Sequence, residues 1–451
     1  MLLNLILSAA VALGCASATP NIQEGIKDYQ PTPEVLASRE AFRDAKFGIF
    51  IHWGIYSMMA NGEWIMSESG IPYEDYARLA EGFYPSKFDA AQWVSAIKGA
   101  GAKYLTITSR HHDGFSMFAT KASKYNIVDA TPFGRDILKE LADECHKQGI
   151  TLNFYYSLVD WGREDYPMGI GSGQKCPKDA SKADFDHYVD FMCEQITELL
   201  TSYGPIGCIW FDGDWDQLRK PAPGEPMVID FDWQYEKIYK HIHSLQPGVM
   251  VGNNHHRVNL PGEDIQIFER DVPGENSAGF SRTNSISDAL PLETCQTMNK
   301  SWGYKITDHQ YKSTQDIIRL IVRTAGRNAN LLFNVGPQPN GEIPAPSLER
   351  MKEVGEWMEK NGDAIYCTRA TMLPPQSWGV LTHKDNRIFL HVTQKPEDGA
   401  VTLPFPLKVK SVTAFGTEKE LEFKKAKDSF TVTLPEGADC STDYIIEITL
   451  K

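Results

Sequence analysis

At 451 residues the chain is too long for one ordinary domain and long enough for a barrel of about 250 residues with a second unit appended. A formal net charge of −14, with no block of basic residues, argues against nucleic acid or anionic membrane surfaces as partners. Ten Trp, 18 Tyr and 21 Phe fill cores, but they also supply the aromatic faces that suit the apolar side of a sugar ring.

Leu2 to Ala18 is apolar and too short to span a bilayer, and it closes on Ala16-Ser17-Ala18, a small-residue cleavage pattern. It reads as a secretory signal peptide over residues 1–18. Leu13-Gly14-Cys15 also resembles a lipoprotein signal, which would leave a lipid anchor on Cys15, although the basic residues expected ahead of either signal are missing. Export to a periplasmic or extracellular location is the expectation. The remaining cysteines, Cys145, Cys176, Cys193, Cys208, Cys295, Cys367 and Cys440, are odd in number and widely spaced, so they indicate neither a disulfide framework nor a zinc site.

A polar linker holding Pro31 and Pro33 precedes a first strand at Lys46 to Gly54, and a loop with Gly62-Glu63-Trp64 follows. Strands are predicted again at Lys103 to Ser109, Thr151 to Ser157, Ile206 to Asp212, Val249 to Gly252, Ile265 to Phe268, Pro291 to Met298 and Asn330 to Val335. Helical spacing of apolar residues falls between most of them: near Ala90 to Gly99, Gly134 to Lys147, Lys182 to Tyr203, Phe231 to Leu245 and Gln315 to Ala325, with a last helix at Ser347 to Asn361. This alternation predicts parallel βα units and a (β/α)8-like TIM barrel over residues 19–365. From about Tyr366 short alternating segments broken by Pro, Gly and Asp predict a C-terminal all-β sandwich over residues 366–451.

Polar and aromatic residues concentrate where the strands end: His52, His111, His112, Tyr155, Tyr156, Trp210, Asp212, Glu269 and Glu293. The C-terminal rim of a barrel is its functional rim, and packing alone does not explain so many loaded strand ends. Asp212 closes the apolar run ending in Ile209, Trp210 and Phe211, and strand alternation puts Trp210 on its face; as part of Asp212-Gly213 it equally reads as a turn residue. A metal hydrolase would want a His-x-His pair or similar cluster, which is missing after the first strand, so no metal or cofactor is expected. A glycosidase needs two carboxyl groups flanking the scissile bond and neutral donors for the sugar hydroxyls, and this set is present.

FGIFIHWGIYS, GEW, SRHHDGF, YYS, CIWFDG, ETCQTMNKSWGY and NLLFNVGPQPNGEIP, in this order, resemble the glycoside hydrolase family 29 α-L-fucosidases over roughly Phe47 to Arg369. The resemblance implies a barrel followed by a β-sandwich, metal-free hydrolysis of terminal α-L-fucose with retention, and a fucosylated glycan as partner. It implies Asp212 as nucleophile and Glu293, in Glu293-Thr294-Cys295, as acid/base, although Leu292 stands where the family usually has Trp; Glu269, Glu263 and Glu275 are rivals for that role. It places His52, His111, His112, Glu63 and Trp64 on the sugar hydroxyls and Trp210 in the same pocket, with Tyr156 preferred to Tyr155, Phe50 against the sugar methyl, and Arg270 as a further binding residue. Two rival readings are a catalytically inactive fucose-binding protein on the same fold and a retaining glycosidase for another sugar, such as an α-galactoside. The linkage, the neighbouring sugar and the assembly state stay open.

Overall fold

The computed structural model describes residues 24–167, 169, 179–218 and 231–451. The signal peptide expected at 1–18, with Cys15, and Cys176 fall outside the described residues. In chain order the first unit comprises helix α1 (Pro33–Ala45), strand β1 (Phe47–Ile51), α2 (Ile65–Glu68), α3 (Tyr73–Ala77), α4 (Ala90–Gly99), β2 (Tyr104–Arg110), α5 (Ile137–Gln148), β3 (Thr151–Ser157) and α6 (Phe185–Ser202). It continues with β4 (Cys208–Asp212), α7 (Tyr235–Leu245), β5 (Met250–Asn253), β6 (Gln266–Glu269), β7 (Leu292–Thr297), α8 (Thr314–Ala325), β8 (Ala329–Val335) and α9 (Ala345–Asn361).

All eight strands are parallel, in the order β5-β4-β3-β2-β1-β8-β7-β6, and a parallel bridge between Gly252 and Ile265 brings the two ends of the sheet together as a barrel. Side chains capping the first turns, Asp89 on α4, Asp136 on α5, Asp184 on α6 and Ser313 on α8, start the outer helices cleanly. Among the described residues no helix follows β5 or β6; the connections 254–265 and 270–291 run as loops, and both contribute to the C-terminal mouth.

The stretch read as a linker around Pro33 is instead a helix. Thr32 accepts from the Val35 amide at 3.2 Å and Pro33 occupies the first helical position, where its missing N–H costs nothing. Helix α1 closes the bottom of the barrel: Phe42 packs on Tyr104 with ring centroids 5.1 Å apart, its carbonyl accepts from Asn330 at 2.6 Å, and Arg39 forms a buried ion pair with Asp264 at 2.6 Å.

The C-terminal unit holds β9 (Arg369–Ala370), β10 (Gly379–Lys384), β11 (Arg387–Val392), β12 (Ala400–Leu403), β13 (Val409–Ala414), β14 (Phe423–Lys425), β15 (Phe430–Thr433) and β16 (Tyr444–Leu450). An antiparallel sheet ordered β13-β16-β11-β10-β9 faces a second one ordered β12-β15-β14, with Leu390, Val412 and Ile446 of the first and Val401, Phe430 and Val432 of the second in one buried cluster. This is the expected sandwich. It is seated on α8, where Gly326 leaves room for the Val380 side chain: a Cβ there would lie 2.4 Å from Val380 Cβ.

Candidate active site

Strand alternation builds the interior of the barrel in layers. From the bottom upward, β1 presents Gly48, Phe50 and then His52; β4 presents Cys208, Trp210 and Asp212. Register puts Phe50 level with Asn334, and Glu269 level with Cys295. The result is an apolar floor of Phe50, Trp210, Trp302 and Cys295 beneath a polar rim, in a cavity of about 1080 Å³. Asp212 does open a turn, because Gly213 has φ +107° and lies against Val159, yet its side chain stays in the cavity. The two readings of this residue therefore describe one arrangement.

Asp212 Oδ2 accepts from the Tyr155 hydroxyl at 3.0 Å, and its Oδ1 faces Asn254 Nδ2 at 3.4 Å. The same Asn254 nitrogen donates to Glu269 Oε2 at 2.9 Å. Both carboxyl groups are thus held by one amide. Burial pushes the Glu269 carboxyl up to about 7, and the charge of Asp212 adds to the effect against the Asn254 hydrogen bond. Burial also raises Asp212, but four hydrogen bonds, from Tyr155, Asn254, the Gly213 amide and Trp215, favour its ionised form. The two environments differ in the sense that an ionised nucleophile and a protonated acid require.

The histidines are neutral, with burial pushing both His52 and His112 down to about 3 and His111 well below its ordinary value. Their tautomers follow from their partners. Asn334 donates its Nδ2 to the Trp302 carbonyl at 2.7 Å, so its Oδ1 must accept the proton on His52 Nδ1, 2.6 Å away. His112 Nδ1 lies 2.7 Å from Ser157 Oγ, whose own proton goes to the Val159 carbonyl. Each ring is left with an unprotonated Nε2, ready to accept from a sugar hydroxyl. His111 Nδ1 is buried without a protein partner. Trp64 stacks on Trp215 at 5.1 Å, Glu63 is fixed by the Gly303 amide at 2.7 Å, and the Arg270 guanidinium lies 5.1 Å over Trp302.

The family model described as Alpha-L-fucosidase matches residues 16–363. The chain belongs to the alpha-L-fucosidase family. It is therefore a glycoside hydrolase acting on α-L-fucosides. Its relatives include tissue alpha-L-fucosidase of Rattus norvegicus, 28% identical over 90% of this chain and 89% of the rat protein, and alpha-L-fucosidase of Dictyostelium discoideum, 28% identical over 91% and 92%. Among solved structures, alpha-L-fucosidase isoenzyme 1 from Paenibacillus thiaminolyticus is 33% identical, with a TM-score of 0.80 over 93% of this chain and all of that one. The Thermotoga maritima alpha-fucosidase, solved in complex with a mechanism-based inhibitor, is 26% identical with a TM-score of 0.71 over the same share.

Two of the expected site residues, Glu293 and Tyr156, lie outside the cavity. Glu293 does not reach the cavity. It is the second residue of β7, level with Ile267, one layer below Cys295 and Glu269, and its oxygens accept from Tyr104 and Trp210 at 2.8 Å each. Burial pushes it, too, up to about 7, but its oxygens are engaged by Tyr104 and Trp210 and it does not line the cavity. Glu269, weighed only as a rival, holds the rim position. Glu263 and Glu275 are elsewhere: the first is buried among Tyr239, His255 and Asn259, and the second pairs with Arg323 and Arg327. Tyr156 points outward to Gln195 at 2.7 Å, and Tyr155 takes the cavity side.

The remaining expected residues, Phe50, His52, Glu63, Trp64, His111, His112, Trp210, Asp212 and Arg270, all line the cavity. Asn254, Trp302 and Trp215 were missed. Asn254 carried a signal, the polar run Asn253-Asn254-His255-His256 after an apolar strand. Trp302 and Trp215 carried none beyond their motifs, since loops decide whether an aromatic residue faces ligand or core.

Proposed function

We propose that the protein is a retaining exo-α-L-fucosidase in which Asp212 is the nucleophile and Glu269 the acid/base. The shared Asn254 amide carries this reading: contacts of 3.4 and 2.9 Å from one nitrogen keep the carboxyl groups close. Retaining pairs stand about 5–5.5 Å apart, whereas inverting pairs need about 6.5–9.5 Å to admit water. Asp212 attacks the anomeric carbon while Glu269 protonates the glycosidic oxygen, so the C1–O bond to the aglycone breaks as a C1–O bond to Asp212 forms. Glu269, now ionised, takes a proton from water, which attacks C1 and releases Asp212. The closed floor of Phe50, Trp210 and Trp302 admits only a terminal sugar, and its apolar surface suits the fucose methyl better than the hydroxymethyl of galactose. His52 and His112 Nε2 accept from ring hydroxyls. The natural substrate is a fucosylated glycan, and the apolar leader at 1–18 directs the enzyme out of the cytoplasm.

Azide separates the two roles stereochemically. With an aryl α-L-fucoside of good leaving ability, Asp212→Gly should lose hydrolysis and, with azide, form the β-fucosyl azide. Glu269→Ala should form the α-fucosyl azide, because azide replaces water on the intermediate. An α-azide from Glu293→Ala and none from Glu269→Ala would reverse the assignment.

A further inference from the structure

A cavity of about 1080 Å³ exceeds the need of a single sugar, since sites for drug-sized ligands run to about 300–1,000 Å³. The excess lies toward the loops that follow β4, β5 and β6. There Asp214, with no exposed surface, is shared by two guanidiniums: Arg257 binds its Oδ2 and Arg282 Nη1 its Oδ1 at 3.3 Å. Among the described residues, one carboxylate stands between two cations on this wall of a strongly acidic protein. Among the described residues Arg282 uses Nη1, toward Asp214 and the His255 carbonyl, and its side chain remains 21% exposed. Beside it Phe280, 41% exposed, stacks on buried His256 with ring centroids 5.8 Å apart and planes at 22°. The Arg282 amide donates to the His256 carbonyl at 2.8 Å, which ties platform and cation together.

Among the described residues, the other acidic groups nearby form no ion pair with Arg282. Glu269 lies 3.5 Å from His256 and is hydrogen-bonded by Asn254, not by Arg282. Asp212 is ionised but is held by Tyr155 and Asn254, whereas Arg282 pairs with Asp214. Glu63 and Glu68 belong to the segment after β1, four strands round the barrel from β5. Burial pushes His256 down to about 3, so it adds an aromatic face and no charge.

Resting on the fucosidase reading, we propose that this wall is the subsite for the sugar bearing the fucose and that it recognises a uronic acid, the ring packing on Phe280 and the carboxylate pairing with Arg282. A guanidinium fork fits a planar carboxylate with two parallel hydrogen bonds, which a neutral hydroxymethyl cannot reproduce.

The test compares α-L-fucosyl hexuronosides with the matching hexuronamides, in each linkage, alongside a neutral aryl fucoside. For at least one linkage the wild type should show kcat/KM about tenfold higher on the acid than on the amide. That ratio should shrink toward one between low salt and about 0.5 M salt, because a partly exposed ion pair is screened. Arg282→Gln should bring the ratio to about one and Arg282→Lys should restore part of it. Equal rates on acid and amide in the wild type at every linkage, or an Arg282→Gln variant that lowers both alike, would overturn the proposal. The salt dependence needs no variant, so a misfolded Arg282→Gln does not remove the test. No hydrolysis of the neutral aryl fucoside would overturn the fucosidase reading itself.

Discussion

Two glutamates in this molecule are pushed to about 7 by the same cause, burial, and only Glu269 of the two lines the cavity. Glu293 meets Tyr104 and Trp210 inside the barrel; Glu269 meets Asn254 at the rim. A carboxyl raised in the folded state favours folding while it is protonated. Its contribution is complete below the unfolded value of about 4.3 and is lost as pH rises through about 7. Glu269→Gln should therefore raise the unfolding free energy at pH 8 by about 1–2 kcal/mol relative to wild type, with no gain at pH 4, as read by chemical denaturation at both pH values. The same change should abolish turnover of poor leaving groups, whereas Glu293→Gln should keep activity within a few fold.

Asn254→Ala removes the donor that favours both ionised carboxylates, so both limbs of the kcat/KM profile should move to higher pH, with a loss of about 10–100-fold at the optimum. A profile of unchanged position would show that the amide positions neither group. At this scale the sequence showed the candidates but not their depth. Glu269 and Glu293 are both near strand ends or starts of apolar runs, and only the register, Glu269 level with Cys295, separates rim from interior.

Among the elements, β4 and β8 were legible because a short apolar run with a polar stop is what a buried parallel strand must be. Helix α1 was not, since Pro31 and Pro33 read as linker, although Thr32 as cap and Pro33 at the first position are also how a helix begins. Its role is to seal the barrel bottom, where Arg39 is the buried partner of Asp264. Arg39→Ala removes the guanidinium that pairs with that buried carboxylate at 2.6 Å, and should cost about 3–5 kcal/mol of stability in a thermal or denaturant melt. The kcat of the protein that remains folded should be near wild type, because the active mouth is at the other end. The preference for Tyr156 over Tyr155 failed at this scale too: adjacent strand residues point oppositely, and the face is set by neighbours. Here Gln195 of α6 takes Tyr156, and Asp212 takes Tyr155.

In the whole molecule the barrel and sandwich share a buried seam at Gly326 and Val380, and Thr382 Oγ1 donates to the Ala364 carbonyl at 3.1 Å. Val380, 5% exposed, packs with the barrel core. Val380→Asp places an unpaired carboxylate in that seam and should lower stability by more than about 2 kcal/mol. Scanning calorimetry should then show a lower midpoint for the barrel as well as the sandwich; a barrel transition unmoved by the change would mean that the seam does not couple them.

Period and punctuation determined the barrel and the sandwich after it and placed a carboxylate at the end of β4, whose role only the motif resemblance implied. Pairing decided the rest. Strand register lifts Glu269 to the rim and drops Glu293 behind Trp210, and the missing helices after β5 and β6 free Asn254, Phe280 and Arg282 to form the wall of the cavity. These positions depend on which residues lie level in neighbouring strands, and that information is absent from any one stretch of chain.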